Sequence, residues 1–388
     1  MAEPEQAQPS NLEFKDHVFD FTFHPSEDIL AAEETVELFS IRPHKKSCRG
    51  LEFSHDGSVQ LDVSDIRFYP AALFSISKDK SLQAIDINTG KVTIKKVDAH
   101  ENPINSLLRL NEFTVATGDD SGVIKLWDAR KDTAVQTYTE HEDFIADMVF
   151  TPEKKTLVAV GGDGYLSVWD IRKPSLVAMS DNQEDELLSV ALVKSGQKVV
   201  VGSQEGVLNL WTWGDWGDVS DRFLGHPSSV DTVCKLDEDT VATGSSDGLI
   251  RIVGVLPNSF HGVVGDHGED FPIERVRLAH DRRFLASCSH DLSVKFWDVK
   301  WLFDEERDED DEERDEEDEE DDEKDEEPVP VTKAKAKPVD SDSDWDSDEK
   351  GNKKRKKKGK GKEEPSAKKG KANQGSARGS KGFFADLD

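Results

Sequence analysis

His267, Ser287, Asp291 and Trp297 are residue types from which a hydrolytic site is built. A histidine can take the proton of a hydroxyl, and a carboxylate can hold that histidine in the tautomer that does so. The set does not stand alone. Histidines recur at His100, His141 and His226, and acids at Asp79, Asp163 and Asp247, with Glu33 and Glu205 in the same place. Ser121 stands where one more acid is due, beside Asp119 and Asp120. A catalytic centre needs one such set. Recurrence points instead to a structural network, because buried polar groups need partners wherever they occur. Other chemistries lack their residues. Gly262–Gly268 (GVVGDHG) is too irregular for a dinucleotide fingerprint, and no phosphate loop or helical metal motif occurs. Cys48, Cys234 and Cys288 are odd in number and far apart, which gives neither a disulfide framework nor a zinc spacing and fits a reducing compartment. No catalytic, metal or cofactor site is expected.

The elements that carry these residues repeat. IKLWD ends at Asp128, LSVWD at Asp170, LNLWT at Thr212, IRIVG at Gly254 and VKFWD at Asp298. In the other direction come LQAID, ending at Asp86, and VELFS, ending at Ser40. The spacings run from 42 to 46 residues. Each copy alternates apolar residues before the Trp position, follows an apolar run such as Leu157–Val160, and is punctuated by turns such as Ser246-Asp247-Gly248. Copies of that length with four short strands are propeller blades, which bury their faces only by stacking on one another.

The motifs resemble those of the WD-repeat β-propellers. The resemblance covers most of 1–303 and implies an all-β, seven-bladed propeller. It also implies a role for the repeated residues. The histidine of each repeat bonds the turn acid, and a Ser or Thr and the Trp extend the bond across strands. His100, Trp127, Asp128, His141, Asp163, Trp169, Asp170, Trp211, His226, Asp247, His267, Ser287, Asp291, Trp297 and Asp298 form this expected network. Several copies depart from the pattern. Phe39-Ser40, Ile85-Asp86 and Val253-Gly254 replace Trp-Asp, and Gln183-Glu184 occupy the place of the fifth histidine. After Asp298 only Val299–Phe303 remain before an acidic run, so the outer strand of the last blade is expected from the N-terminal segment 1–16, near Asn11–Val18, with the propeller body over 17–303.

Trp127-Asp128-Ala129-Arg130, Trp169-Asp170-Ile171-Arg172 and Trp211–Trp216 follow the third strands of three consecutive copies. Arg130, Arg172, Trp213 and Trp216 are thereby placed on one side of the ring, as a candidate partner surface. The plainer alternative is that the arginines pair with neighbouring acids and the tryptophans pack on the rim.

Net charge is -31, and it is unevenly spread. Residues 304–327 hold 21 acids and three bases, whereas 350–381 hold 14 bases and two acids. The segment from 304 onward lacks apolar periodicity and is expected to be disordered, acidic over 304–327 and basic over 328–388. Lys353, Lys354, Arg355, Lys356, Lys357 and Lys358 read as a nuclear-import signal or a nucleic-acid patch. Ser341, Ser343 and Ser347 lie among acids and suit acidophilic kinases. The body is too acidic to grip phosphate backbones, no apolar run approaches the ~20 residues of a membrane span, and the N-terminus has no secretory pattern.

Propeller, acid run, acidic serines, basic block and a terminal Gly-Phe-Phe-Ala-Asp together resemble the WD repeat-containing protein 55 family of nucleolar propellers. HVFDFTFHPSEDILAAEETVELFSI and TGDDSGVIKLWDAR carry much of the likeness. The resemblance implies a non-enzymatic scaffold that modulates ribosomal RNA synthesis or processing in the nucleolus, with some cytoplasmic pool. The expected partners are pre-ribosomal or nucleolar proteins docked on the propeller, and RNA or basic proteins on the tail. The chain is expected as a monomeric subunit of larger assemblies, away from membranes. Two alternatives come from the residues: a cullin-RING substrate receptor using the WDxR turns, and an acidic chaperone for basic nuclear proteins.

Overall fold

The computed structural model describes residues 8–32, 37–40, 49–50, 63–68, 72–111 and 113–303. The chain divides into two units, 1–324 and 325–388, and every described residue lies in the first.

Each sheet is an antiparallel stack of four strands in which the first is innermost and the last outermost. Blade one runs through Phe21–Phe23, Ile29–Ala32, Glu37–Ser40 and Arg49–Gly50. Blade two comprises Val63–Phe68, Ala72–Ser77, Leu82–Asp86 and Val92–Lys96. Blade three comprises Ile104–Arg109, Thr114–Asp119, Ile124–Asp128 and Gln136–Tyr138; blade four, Ile145–Thr151, Thr156–Gly161, Leu166–Asp170 and Leu176–Met179. Blade five takes Leu187–Val193, Lys198–Ser203, Val207–Thr212 and Asp221–Leu224; blade six, Val230–Lys235, Thr240–Ser245, Leu249–Gly254 and Ser259–Asp266.

These are six blades of continuous chain. The expected seventh is not one. It is a composite sheet of Ile273–Leu278, Phe284–Ser289 and Ser293–Asp298, with Leu12–Glu13 paired on its outer edge. The physical reason is the chain's supply of strands. After Asp298 only a short helical turn at Trp301–Phe303 is formed, so the fourth strand must come from the other end. Leu12 pairs with Val294, and Phe14 N donates to Leu292 O at 2.9 Å.

The strand pattern follows burial. Second strands such as Thr156–Gly161 and Lys198–Ser203 are buried after their first residue, hence their runs of Val, Leu and Ala. Outer strands face water, and Val92–Lys96 carries two lysines that discourage pairing with a foreign strand. The core lies between sheets. Tyr138 of blade three stacks on Trp169 of blade four with centroids 4.2 Å apart. Glycine is required at Gly248, where φ is +80° and a Cβ would come within 2.1 Å of the Gly268 carbonyl oxygen.

Two further features position side chains. The seam at the start of the ring is held by Asp20, whose buried carboxylate accepts from Arg67 at 2.7 Å and Arg277 at 2.8 Å. Blade one is thereby tied to blade two and to the composite sheet. In addition, every described inner strand except that of blade one carries one bulge just after its first residue, between Ile104 and Ser106, Ile145 and Asp147, Leu187 and Ser189, Val230 and Thr232, or Ile273 and Arg275, and likewise between Val63 and Asp65. A bulge re-aims its extra side chain.

Candidate functional site

His100 sits in the loop before the inner strand of blade three and is 2% exposed. Its Nδ1 lies 2.8 Å from the Asp119 carboxylate, and its Nε2 lies 2.7 Å from the Thr117 hydroxyl. The Trp127 indole N–H donates to the same hydroxyl oxygen at 2.9 Å. A carboxylate only accepts, so Nδ1 donates to it and Nε2 accepts from Thr117. Burial pushes the His100 pKa down, against the pull of Asp119. Burial pushes Asp119 up, but hydrogen bonds from His100, Val123 N and Ser121 outweigh it and leave the acid below its usual range. The imidazole is therefore neutral beside an ionised acid. Asp119 fills the place for which Ser121 lacks an acid group, and the Ser121 hydroxyl donates to Asp119 at 2.9 Å.

The same arrangement recurs twice. In the composite sheet His267 reaches Asp291 and Ser287, each at 2.7 Å, and Trp297 donates to Ser287 at 2.8 Å. In blade four His141 lies 3.0 Å from Asp163 and 2.7 Å from Ser167, which also accepts from Trp169 at 2.8 Å. Here the hydroxyl has crossed to the third strand. Ser167 pairs with Ala159, the register position at which Lys125 faces Thr117 in blade three. Thr117, Ser167 and Ser287 are all 0% exposed. A hydroxyl enclosed between an imidazole and an indole cannot meet a substrate, so these sets hold loops in place.

Two repeats differ from expectation. In blade six His226 keeps its bond to Thr243 at 2.9 Å, but Asp247 accepts two bonds from Arg251, the shorter at 2.6 Å. Arg251 stands opposite Thr243 in the third strand and takes the acid that His226 was expected to hold. Burial, then the Arg251 charge, push the His226 pKa down to about 4. In blade five Gln183 stands in the place of the histidine, its N–H bonded to Gly164 O at 3.0 Å as His267 N is to Gly248 O. With Val201 and Asn209 at the hydroxyl positions, the fully buried Trp211 indole N–H finds no acceptor.

The aspartates of the Trp-Asp pairs serve another end. Asp128 accepts from the Arg130 backbone and from its guanidinium twice, at 2.8 Å each; Asp170 does the same for Arg172, at 2.7 and 2.9 Å. The Arg130 and Arg172 side chains hold Asp128 and Asp170 well below the carboxylate range. Asp298 accepts from Lys300 N at 3.0 Å. Arg130 and Arg172 are thus paired, yet their side chains remain 64% and 65% exposed. Arg130 also lies over Phe113, 4.6 Å from the ring centre. Trp213 and Trp216 form an edge-to-face pair with centroids 5.0 Å apart, half-buried against the core between blades four and five, with Lys154 3.7 Å from the Trp213 ring centre. Both tryptophans thus pack on each other and on that core.

The bulge residues were missed by motif reading. Asp231 and Glu274 occupy the bulges of blade six and the composite sheet. Glu274 accepts from His290 Nε2 at 2.6 Å, and His290 lies 5.0 Å from His17, ring centre to ring centre. The Asp231 Oδ2 atom is buried and has no hydrogen-bond partner. Burial pushes the Asp231 pKa up to about 6. The signal for such residues is a polar residue directly after the first apolar residue of an inner strand. Lys353–Lys358, Ser341, Ser343, Ser347 and Glu33 lie outside the described residues. Among the described residues no group of His, Cys, Asp and Glu is arranged to hold a metal.

Stacked four-stranded sheets, with His–Ser/Thr–Trp networks at matching places, define a WD-repeat β-propeller. One chain in the crystal structure of the mitotic checkpoint complex has the same fold, with TM-score 0.62 over 77% of this chain and 97% of its own, at 15% identity. The WDR55 family profile matches residues 9–302, and the chain belongs to that family. WD repeat-containing protein 55 of Danio rerio is 47% identical over 77% of this chain and 78% of its own length. The human protein of that name is 38% identical over 72% and 74%, and the Dictyostelium discoideum homolog 35% identical over 77% and 72%.

Proposed function

We propose that this chain is a non-enzymatic docking platform of the nucleolus that modulates ribosomal RNA production, and that the composite sheet completes a ring of seven blades. The observation that carries the platform reading is the fate of the reactive residue types. Each His–hydroxyl set is enclosed and spent on holding loops, while guanidinium groups remain exposed at the turns after the third strands. The nucleolar address rests on the basic block Lys353–Lys358 and on the family resemblance. The pertinent experiment images the full chain and a variant with Lys353–Lys358 replaced by alanine. The intact chain concentrates in nucleoli and the variant does not; equal nucleolar signal would remove the address from this block.

A second reading has its own support. Arg130 and Arg172 are held by Asp128 and Asp170 in the same conformation on consecutive blades, as a repeated recognition feature would require. On that reading the chain is a cullin-RING substrate receptor. Arg130→Ala with Arg172→Ala then removes the ligase from purified complexes while the melting temperature holds. Unchanged copurification, or no ligase in the wild-type complex, excludes it.

A further inference from the structure

The two ends of the ring differ in charge. Antiparallel strands place the loops that carry the histidines at the same end as the turns between second and third strands. For blades three to six and the composite sheet, these ten connections contain 16 Asp or Glu and no Lys or Arg. The nine connections at the opposite end, where Arg130 and Arg172 lie, together with Val299–Phe303 after the last strand, contain nine acids and ten bases. A face of one sign focuses its field and draws in opposite charge. At its centre the bulges of adjacent inner strands present Asp231 and Glu274. Asp231 Oδ2 is out of solvent and accepts nothing, a state that calls for a donor. Asp231 also feels a hydrogen bond from Ser229 and the charges of Glu274, His290 and Asp247; Ser229 and His290 favour its ionisation, whereas the two acids oppose it. An incoming cation relieves that repulsion. Phe271, 38% exposed on the same face, offers an apolar surface for the stem of a long basic side chain.

We propose that this acidic end docks a lysine- or arginine-rich protein segment, with one cationic side chain entering between Asp231 and Glu274. The site lies at the end away from Arg130 and Arg172, so it stands or falls separately from either reading of that surface. Nucleic acid is disfavoured by the sign of the face.

The test uses the full chain and a fluorescent peptide of lysine, arginine and glycine, read by anisotropy. The acid run 304–327 is a competing site of the same sign, and the comparison is built to separate the two. One variant carries Asp231→Asn with Glu274→Gln. The control carries Asp132→Asn with Glu153→Gln, which removes the same charge from connections at the other end. The first variant is expected to weaken binding about tenfold, and the control less than twofold. Equal effects, or none, overturn the proposal. Carbodiimide coupling of the peptide to the wild-type chain gives a readout independent of variant folding. Cross-links at Asp231 or Glu274 support the site, and cross-links confined to 304–327 overturn it.

Discussion

A hydroxyl shared by an imidazole and an indole is worth more buried than exposed, because neither neighbour can turn to water for a substitute. Thr117→Val keeps the shape and leaves His100 Nε2 and the Trp127 N–H unmatched. It should cost about 1–3 kcal/mol in urea unfolding. Trp211→Phe loses no hydrogen bond, since that indole makes none, and should cost only its packing, about 1–2 kcal/mol. A Thr117→Val variant as stable as wild type would mean that the network carries no energy. Asp231 behaves in the opposite sense. Its folded pKa is raised to about 6 from 3.8, so the folded state disfavours its charge. Stability from this group is greatest below about pH 4, falls as pH rises to about 6, and is flat above. Asp231→Asn should therefore stabilise the protein at pH 7, by at most about 3 kcal/mol, and change nothing at pH 3. A loss of stability at pH 7 would show that the Ser229 hydrogen bond to the carboxylate outweighs the cost of its burial. Stability given up at one place is what a binding residue commonly shows.

At the scale of elements, closure of the proposed seven-blade ring would depend on a two-residue strand and one carboxylate. Removing residues 1–16 strips Leu12–Glu13 from the composite sheet and exposes an edge. Its melting temperature should fall by more than about 5 °C, whereas removing 325–388 should leave it unchanged. Equal melting of the two truncations would deny the strand its closing role. Asp20→Ala leaves Arg67, Arg275 and Arg277 around an empty place and should cost about 3–5 kcal/mol. The strands themselves were legible from spacing, because Trp127, Trp169, Trp211 and Trp297 mark the same register in four of the copies. The networks were legible where motif and geometry coincide, as at His267 and Asp291. They were not where one side chain displaced another. Arg251 took Asp247 from His226, and the blade-four hydroxyl moved from the Ala159 position to Ser167, exchanges between facing strands that no linear spacing records. The bulges escaped for a related reason. One extra residue in one strand shifts the pairing without altering the 42-residue period of copies three to six.

Across the whole molecule, the total of -31 conceals a ring with one acidic end and one mixed end, followed by an acid run and a basic block. On the proposals above, a scaffold built this way would sort partners by face: basic segments to the histidine end, other proteins to the arginine end. The central claim is that such a platform modulates ribosomal RNA production. The measurement closest to it is pulse labelling of ribosomal RNA in cells depleted of the chain and then resupplied with it. The expected result is a changed yield or precursor-to-mature ratio that the resupplied chain restores. Labelled precursors and mature RNA indistinguishable from those of undepleted cells would contradict it.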